Sequence, residues 1–226
     1  MTSPPQPNIL SAVPYFDSLD AETVAELERS TVQQMYDTEQ IVFLEGETCA
    51  GLYIVESGWL KSVKIALSGR EQVIRFVGPG EVFNEVGILA DARNQVTVIA
   101  LEPTALWIIP QEPLLHLMDK NARLSRIIAQ HLARRVQHLL GLVEDLSLRP
   151  LQARLARVIL EQATEGVVRR HRWSTQTEMA SRLGTVPDVL NRALRGLVEE
   201  GLISVQRYQI QIRDRAGLEA KATREG

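Results

Sequence analysis

The stretch STQTEMASRLGTVPDVLNRALRGLVEE occupies residues 174–200 and carries the signals of two helices separated by a tight turn. Thr175 is followed three residues later by Glu178, which is the spacing of a helix N-terminal capping box. Gly184 suits the end of the first helix, where the backbone must take a positive φ. Pro187 suits the first turn of the second helix, because its missing N–H would have no partner there. The stretch therefore predicts a short helix, a glycine turn and a longer second helix.

These two helices form a predicted helix-turn-helix, a motif whose second helix enters the DNA major groove. The second helix, residues 187–200, is expected to bury the apolar side chains Leu190, Leu194, Leu197 and Val198. On its other face, arginine suits guanine, asparagine suits adenine, and a carboxylate can accept from the cytosine amino group. We predict that Arg192 and Asn191 read bases and that Arg195 and Arg182 lie nearer phosphate. The predicted DNA-binding set comprises Thr175, Arg182, Asp188, Asn191, Arg192, Arg195 and Arg207.

Two alternating runs after this helix, residues 201–205 and 209–212, predict a hairpin that turns at Arg207 and forms a wing beside the helix-turn-helix.

The charge distribution also favours DNA binding by the C-terminal part. Residues 147–226 carry 14 Lys and Arg against 9 Asp and Glu, a net of +5, whereas residues 1–146 carry 11 against 19, a net of −8. A basic C-terminal part beside an acidic N-terminal part predicts that only the former meets a polyanion.

Short β-rich runs separated by glycine turns fill residues 40–109. The runs are Ile41–Leu44, Leu52–Val55, Leu60–Ile65, Gln72–Val77, Gln95–Leu101 and Ala105–Ile109. Several short strands at this spacing are typical of an all-β sandwich or an antiparallel β-roll. An enzyme of the cupin type is disfavoured, because residues 40–110 contain no histidine that could serve as a metal ligand.

A long helix is predicted over residues 113–147, which contain glycine only at position 141. Its apolar residues recur at spacings of 4, 3, 4 and 3: Leu132, Val136, Leu139, Val143 and Leu146. This 3.5-residue period is typical of pairing with an identical helix, whereas packing on the chain's own β-domain would favour a wider stripe. We therefore predict an α+β chain in three parts. These are a β-roll with short flanking helices over 1–112, a long dimerisation helix over 113–147, and a winged helix-turn-helix over 148–226.

The first seven residues are proline-rich and uncharged, and no apolar run approaches the roughly 20 residues that span a bilayer. We expect a cytoplasmic protein without a membrane partner. The single cysteine, Cys49, cannot form an intrachain disulfide. We expect it to be a small residue at a strand edge rather than a redox switch.

Four segments occur in a characteristic order. They are EGE at 45–47 with LYIVESG at 52–58, GEVFNEVG at 80–87, ARR at 133–135 running on to Leu146, and TEMA at 177–180 running on to Ser204. In this order they resemble the cyclic-AMP receptor protein / fumarate-nitrate regulator (CRP/FNR) superfamily of transcription regulators. The resemblance implies an N-terminal antiparallel β-roll like the jelly roll of cyclic-nucleotide-binding domains, with a small effector in it. It also implies a homodimer on a palindromic operator in double-stranded DNA and recruitment of RNA polymerase. A cyclic-nucleotide-binding module without gene control is the alternative, which the helix-turn-helix disfavours.

The effector pocket departs from the cyclic-AMP-binding members of that superfamily, in which a Glu and an Arg-Ser pair hold the ribose and the cyclic phosphate. Glu85 matches the Glu, but Asn94 and Gln95 fall where the pair should be, with Arg93 one place early. Two leucines on the long helix replace the polar pair that recognises adenine. Cyclic AMP is therefore disfavoured, because its buried phosphate would lack a charge-assisted partner. The candidate pocket comprises Glu85, Arg93, Asn94, Gln95, Leu139 and Leu140.

The cysteine cluster that holds iron–sulfur in the oxygen-sensing branch is absent, so that cofactor is not expected. Residues 185–188, 191–192 and 146–148 are more similar to the nitric-oxide-responsive, haem-associated branch. A histidine on a helix is more often structural than a ligand, so haem is a hypothesis to be tested. The conceivable axial ligands are His116, His131 and His138.

Overall fold

The computed structural model describes residue 10 and residues 13–90 and 93–223, so the proline-rich tail considered above lies outside the described residues. The strands are β1 (Val32–Tyr36), β2 (Ile41–Phe43), β3 (Gly51–Ser57), β4 (Leu60–Ile65), β5 (Glu71–Val77), β6 (Val82–Phe83), β7 (Thr97–Ala100), β8 (Thr104–Pro110), β9 (Val167–Arg169), β10 (Ile203–Val205) and β11 (Gln209–Ile212). The helices are α1 (Ala21–Ser30), α2 (Glu85–Leu89), α3 (Gln111–Lys120), α4 (Ala122–Leu148), α5 (Leu151–Gln162), α6 (Gln176–Arg182), α7 (Pro187–Glu199) and α8 (Arg215–Ala222). The chain divides into two units, residues 1–64 with 74–136 and residues 65–73 with 137–226.

The predicted β-roll is confirmed as two four-stranded sheets, ordered β1-β8-β3-β6 and β2-β7-β4-β5. Strands β3 and β8 pair antiparallel at its centre and are buried on both faces. Alternate side chains along them enter two different cores. The core between the sheets receives Tyr53, Val55, Leu106 and Ile108. The core between the first sheet and helices α1, α3 and α4 receives Leu52, Ile54, Trp107 and Ile109.

The single long helix predicted over 113–147 is wrong in one respect, because Asn121 divides it into α3 and α4. The Asn121 backbone is extended, with φ −122° and ψ 94°. Its side-chain oxygen accepts hydrogen bonds from the N–H groups of Arg123, at 3.0 Å, and Leu124, at 3.1 Å. These bonds satisfy donors that the start of α4 would otherwise leave unpaired. The Asn121 amide also donates to Thr23 Oγ1 at 2.8 Å, which connects this helix start to α1.

The predicted helix-turn-helix is confirmed as α6 and α7. The Thr175 hydroxyl caps α6 by accepting from the Glu178 N–H at 3.2 Å, and Gly184 takes φ +65° in the turn. Val198 was expected to be buried, but it is 42% exposed near the end of α7. The predicted wing pairs β10 with β11, and β9 adds a third strand that sequence analysis did not predict.

None of the helices within the described ranges combines the length and the apolar character that crossing a bilayer requires.

The close pairing of β3 with β8 yields a prediction at Gly51. A Cβ atom at this position would overlap the backbone carbonyl of Ile109, which cannot move without displacing β8. We expect Gly51→Ala to lower the free energy of unfolding by about 1–3 kcal/mol in urea titrations. Ser57→Ala, at an exposed position of the same strand, should stay within about 0.5 kcal/mol of wild type. Equal stabilities for the two variants would contradict this account of the pairing.

Candidate functional site

Helix α7 is amphipathic in the way that a DNA-reading helix requires. Its apolar face buries Leu190, Ala193, Leu194 and Leu197 in the core of the second unit. The predicted reading side chains lie on the opposite face at helical spacings of 3, 1 and 3 residues. Asp188, Arg192 and Arg195 are exposed there, and Asn191 is partly buried. The structure therefore brings these four predicted residues together on one surface.

The predicted reading residues differ in the hydrogen bonds that their side chains make. Asn191 donates from its side-chain amide to Gln176 Oε1 at 3.0 Å, which links α7 to the start of α6. Arg195 donates weakly to the Asn191 carbonyl oxygen at 3.4 Å. The Arg192 side chain makes no hydrogen bond or ion pair with any residue in the described part of the chain. Its guanidinium is thus available for bidentate pairing with a base edge.

Two members of the predicted set have structural contacts of their own. The Thr175 hydroxyl is the α6 cap, so its side chain already has a partner. Arg182 is partly buried, and its Nη2 lies 3.9 Å from Glu161 Oε2. Burial lowers the pKa of Arg182, and Glu161 partly offsets this effect. A phosphate contact by Arg182 stays a prediction, because the residue also joins α6 to α5.

A basic cleft of about 630 Å³ lies between the loop before α6 and the turn of the wing. It is lined by Arg170, His171, Arg172, Ser174, Thr175, Gln176, Val205, Gln206, Arg207 and Tyr208. Arg207 lies over the ring of Tyr208, 5.1 Å from its centroid, and His171 stacks on Trp173 at 5.2 Å. Sequence analysis selected only Arg207 and Thr175 from this group. A cleft with three arginines beside a reading helix suits backbone phosphate rather than base edges.

The loop that carries the candidate effector residues is closed by a polar network. Asn84 has a left-handed backbone, with φ 79°. Its amide nitrogen lies 3.1 Å from Asn94 Oδ1, 3.2 Å from Cys49 Sγ and 3.2 Å from the Gly51 carbonyl oxygen. Asn94 is only 2% exposed, so the position where the resemblance places an Arg holds a buried neutral side chain.

The two residues that flank Asn94 have exposed side chains, which hydrogen-bond to backbone carbonyl groups. Arg93 is exposed and donates to the Gly46 carbonyl oxygen at 2.7 Å, while Gln95 is exposed and donates to the Arg93 carbonyl oxygen at 3.2 Å. Burial raises the pKa of the Cys49 thiol, which keeps it protonated at neutral pH and fits a structural role.

Glu85 begins α2 and faces two arginines that sequence analysis did not select. Burial raises the pKa of Glu85, and the nearby Arg75 and Arg135 oppose that shift. Arg75 comes from β5 and Arg135 from α4, so no local motif connects the three residues. Leu139 and Leu140 are exposed residues of the second unit, and their place in the effector pocket stays a prediction.

The three histidines named as conceivable haem ligands lie in different surroundings. His116 and His138 are exposed. One face of the His131 ring packs on Tyr15, with ring centroids 4.0 Å apart, and its Nε2 lies 3.3 Å from Arg134 Nη1. An arginine donor at that nitrogen competes with a metal for the same lone pair. These contacts do not fit an axial ligand, so haem binding stays a prediction without structural support.

A β-roll with a closed polar loop, followed by a helix-turn-helix with an exposed reading face, defines a ligand-responsive DNA-binding protein. The cyclic nucleotide-binding domain family matches residues 33–121, and the Crp-like helix-turn-helix domain family matches residues 153–221. The chain belongs to the CRP/FNR superfamily of transcription regulators.

Relatives support this assignment along nearly the whole chain. The cyclic AMP receptor protein of Thermus thermophilus is 28% identical over 212 residues, which is 91% of this chain and 95% of that protein. A structure from Eubacterium rectale assigned to the CRP/FNR family is 25% identical, with a TM-score of 0.72, and the match covers 92% of this chain and 97% of that one. FixK2 from Bradyrhizobium japonicum shares the fold at 21% identity, with a TM-score of 0.76 over 87% of this chain and 99% of that one.

Two arginine variants separate base reading from phosphate contact. We expect Arg192→Ala to weaken binding to the specific operator by roughly 1–3 kcal/mol while leaving unrelated duplexes nearly unaffected. We expect Arg207→Ala, in the basic cleft, to weaken all duplexes about equally and to reduce the salt slope by about 1. Fluorescence anisotropy at several salt concentrations measures both effects. A uniform loss of affinity in Arg192→Ala would show that this residue does not read bases.

Proposed function

We propose that two copies of this chain pair along α4 and bind a palindromic operator in double-stranded DNA, under the control of a small effector in the β-roll. The observation that carries the proposal is an exposed apolar stripe on α4. Val136 is 56% exposed and Val143 is 61% exposed, and both belong to the 3.5-residue repeat. Such a stripe is stabilised by burial against the same stripe of a second copy.

Dimerisation also explains how one short helix could achieve specificity. A two-fold axis presents two copies of α7, and two half-sites one helical turn of DNA apart double the number of base contacts. The cytoplasm, where DNA is accessible, is the compartment we propose. We further propose, on the superfamily resemblance alone, that the DNA-bound dimer contacts RNA polymerase.

We propose regulation by binding rather than by catalysis. The relatives that match nearly the whole chain are transcription regulators, and the matched families are a nucleotide-binding and a DNA-binding domain. A nucleotide-binding module without gene control fits less well, because residues 153–221 match the helix-turn-helix family.

Capture of genomic fragments by the purified full-length chain tests the function. We expect a discrete set of fragments that share an inverted repeat, since two identical reading helices should select a symmetric site. Arg192→Ala should enrich the same set much less strongly. Enrichment of no fragment, or of fragments without a shared symmetric sequence, would contradict operator-specific binding.

A charge placed in the α4 stripe tests the dimer. We expect Val143→Lys to convert the protein to a monomer at micromolar concentration, because two lysines would face each other in an apolar interface. Sedimentation equilibrium measures this, and affinity for a palindromic duplex should fall at least about tenfold with it. Gln137→Lys adds the same charge at an exposed position outside the repeat and should remain dimeric. A dimeric Val143→Lys protein would refute pairing along this stripe.

A further inference from the structure

A cluster of charged side chains in the first unit is not explained by the DNA-binding function. Arg75 from β5, Glu85 from α2 and Arg135 from α4 interact electrostatically, and Glu81 contributes from the edge of the cluster. Arg75 Nη2 donates to the Val82 carbonyl oxygen at 3.2 Å and lies 4.0 Å from Glu81 Oε1. Three separate elements therefore bring two guanidinium groups towards one half-buried carboxyl group.

Two donors in this cluster have no acceptor among the residues that the structure describes. They are the buried Arg75 Nε and the buried Tyr15 hydroxyl. Tyr15 is 5% exposed and lies within electrostatic range of Glu85. It packs on His131, which precedes Arg135 by one turn of α4. Buried donors are almost always hydrogen-bonded in folded proteins, so these atoms favour an additional acceptor.

The charges of the cluster favour an acceptor that is negative. Burial and the neighbouring Arg75 lower the pKa of Arg135 to about 10, so it remains a cation at neutral pH although partly removed from water. Burial raises the pKa of the partly buried Glu85, so burial disfavours the charged form of this counter-charge, although Arg75 and Arg135 oppose the shift. Arg75 and Arg135 also repel each other, because Arg75 contributes to the lowered pKa of Arg135. An anion between them would offset the mutual repulsion of the two guanidinium groups.

The resemblance assigns the phosphate of a cyclic nucleotide to the loop that carries Asn94, and the matching position holds no cation. Asn94 is bound to Asn84, and the Arg93 guanidinium is committed to the Gly46 carbonyl oxygen. The two arginines that interact with Glu85 lie instead on β5 and α4. A ligand charge should therefore bind beside Arg75 and Arg135 rather than in the loop.

We propose that Arg75 and Arg135 together bind a small oxyanion, a phosphate or carboxylate group carried by the effector, with the Tyr15 hydroxyl as an additional donor. The proposal rests on the proposed function, because it specifies the chemical class of the effector. The planar guanidinium fork matches the geometry of both groups, and two forks from different elements can hold one group between them.

Thermal unfolding of the full-length protein, at fixed ionic strength maintained with chloride, tests the proposal. The probes are inorganic phosphate, pyrophosphate and citrate at millimolar concentration. We expect at least one probe to raise the Tm of wild type by roughly 3 °C or more, since a ligand that binds only the native state stabilises it. Stabilisation by pyrophosphate alone identifies a phosphate-bearing ligand, and stabilisation by citrate alone identifies a carboxylate.

Variants of full-length protein identify the binding residues. Arg75→Gln and Arg135→Gln should abolish most of the rise in Tm, and Arg75→Lys and Arg135→Lys should keep part of it, because lysine retains the charge but not the fork. Arg126→Gln removes an exposed charge from the same helix and should keep the full rise. The unfolding transition of each variant in chloride alone shows that it is folded.

Three results would overturn the proposal: no rise in wild type with any probe, a full rise in Arg75→Gln and Arg135→Gln, or an equal loss of the rise in Arg126→Gln. Capture of genomic fragments with the same wild-type preparation distinguishes the failure of this site from failure of the proposed function. Specific capture without any stabilisation by an oxyanion would refute the site and leave DNA recognition intact.

Discussion

The antiparallel pairing of β3 with β8 is the constraint on which the first unit depends. Both strands are buried on both faces, so a single pair of strands contributes to two cores. A shift of register by one residue would exchange Leu52 and Ile54 for Tyr53 and Val55 in each core. The same pairing fixes Gly51 and, through its carbonyl oxygen, the Asn84 side chain of the effector loop. The pairing of β3 with β8 therefore determines both the packing of the two cores and the shape of the loop.

Much of the fold could be predicted because the turn residues and the pattern of apolar residues indicate the same element boundaries. Glycine turns separate the strands as expected, and Gly46, Gly58, Gly69 and Gly80 all have positive φ. The elements that sequence analysis missed lack such agreement. Strand β1 has four exposed residues in its VQQMY sequence, and β9 is three residues long. The break at Asn121 was missed because the apolar period continues through it, and only the capping bonds reveal it.

The two sites differ in how far the sequence determines them. The reading face of α7 follows from helical spacing within eight residues, so a motif was enough to place Asp188, Asn191, Arg192 and Arg195 together. The cluster of charged side chains around Glu85 depends on tertiary structure, because Arg75 and Arg135 are 60 residues apart in the chain. The resemblance places the phosphate-binding arginine at Asn94. The Asn94 side chain is neutral, and its Oδ1 accepts a hydrogen bond from Asn84, so this position supplies no charge to a ligand.

Helix α4 contributes residues to both units, and this continuity bears on regulation. Arg135 and Asp145 lie about 15 Å apart along one uninterrupted helix. Asp145 is 3.0 Å from Arg149 and from Arg157, and Arg157 is 3.0 Å from Glu161, so the end of α4 is paired with α5. A ligand shifts a conformational equilibrium only by its difference in affinity for the two states. Because Arg75 and Arg135 come from β5 and α4, an oxyanion between them would favour the state in which these two elements approach most closely. In the proposed site, an effector would act on α4, and along it on DNA binding, by changing the distance between the two guanidinium groups.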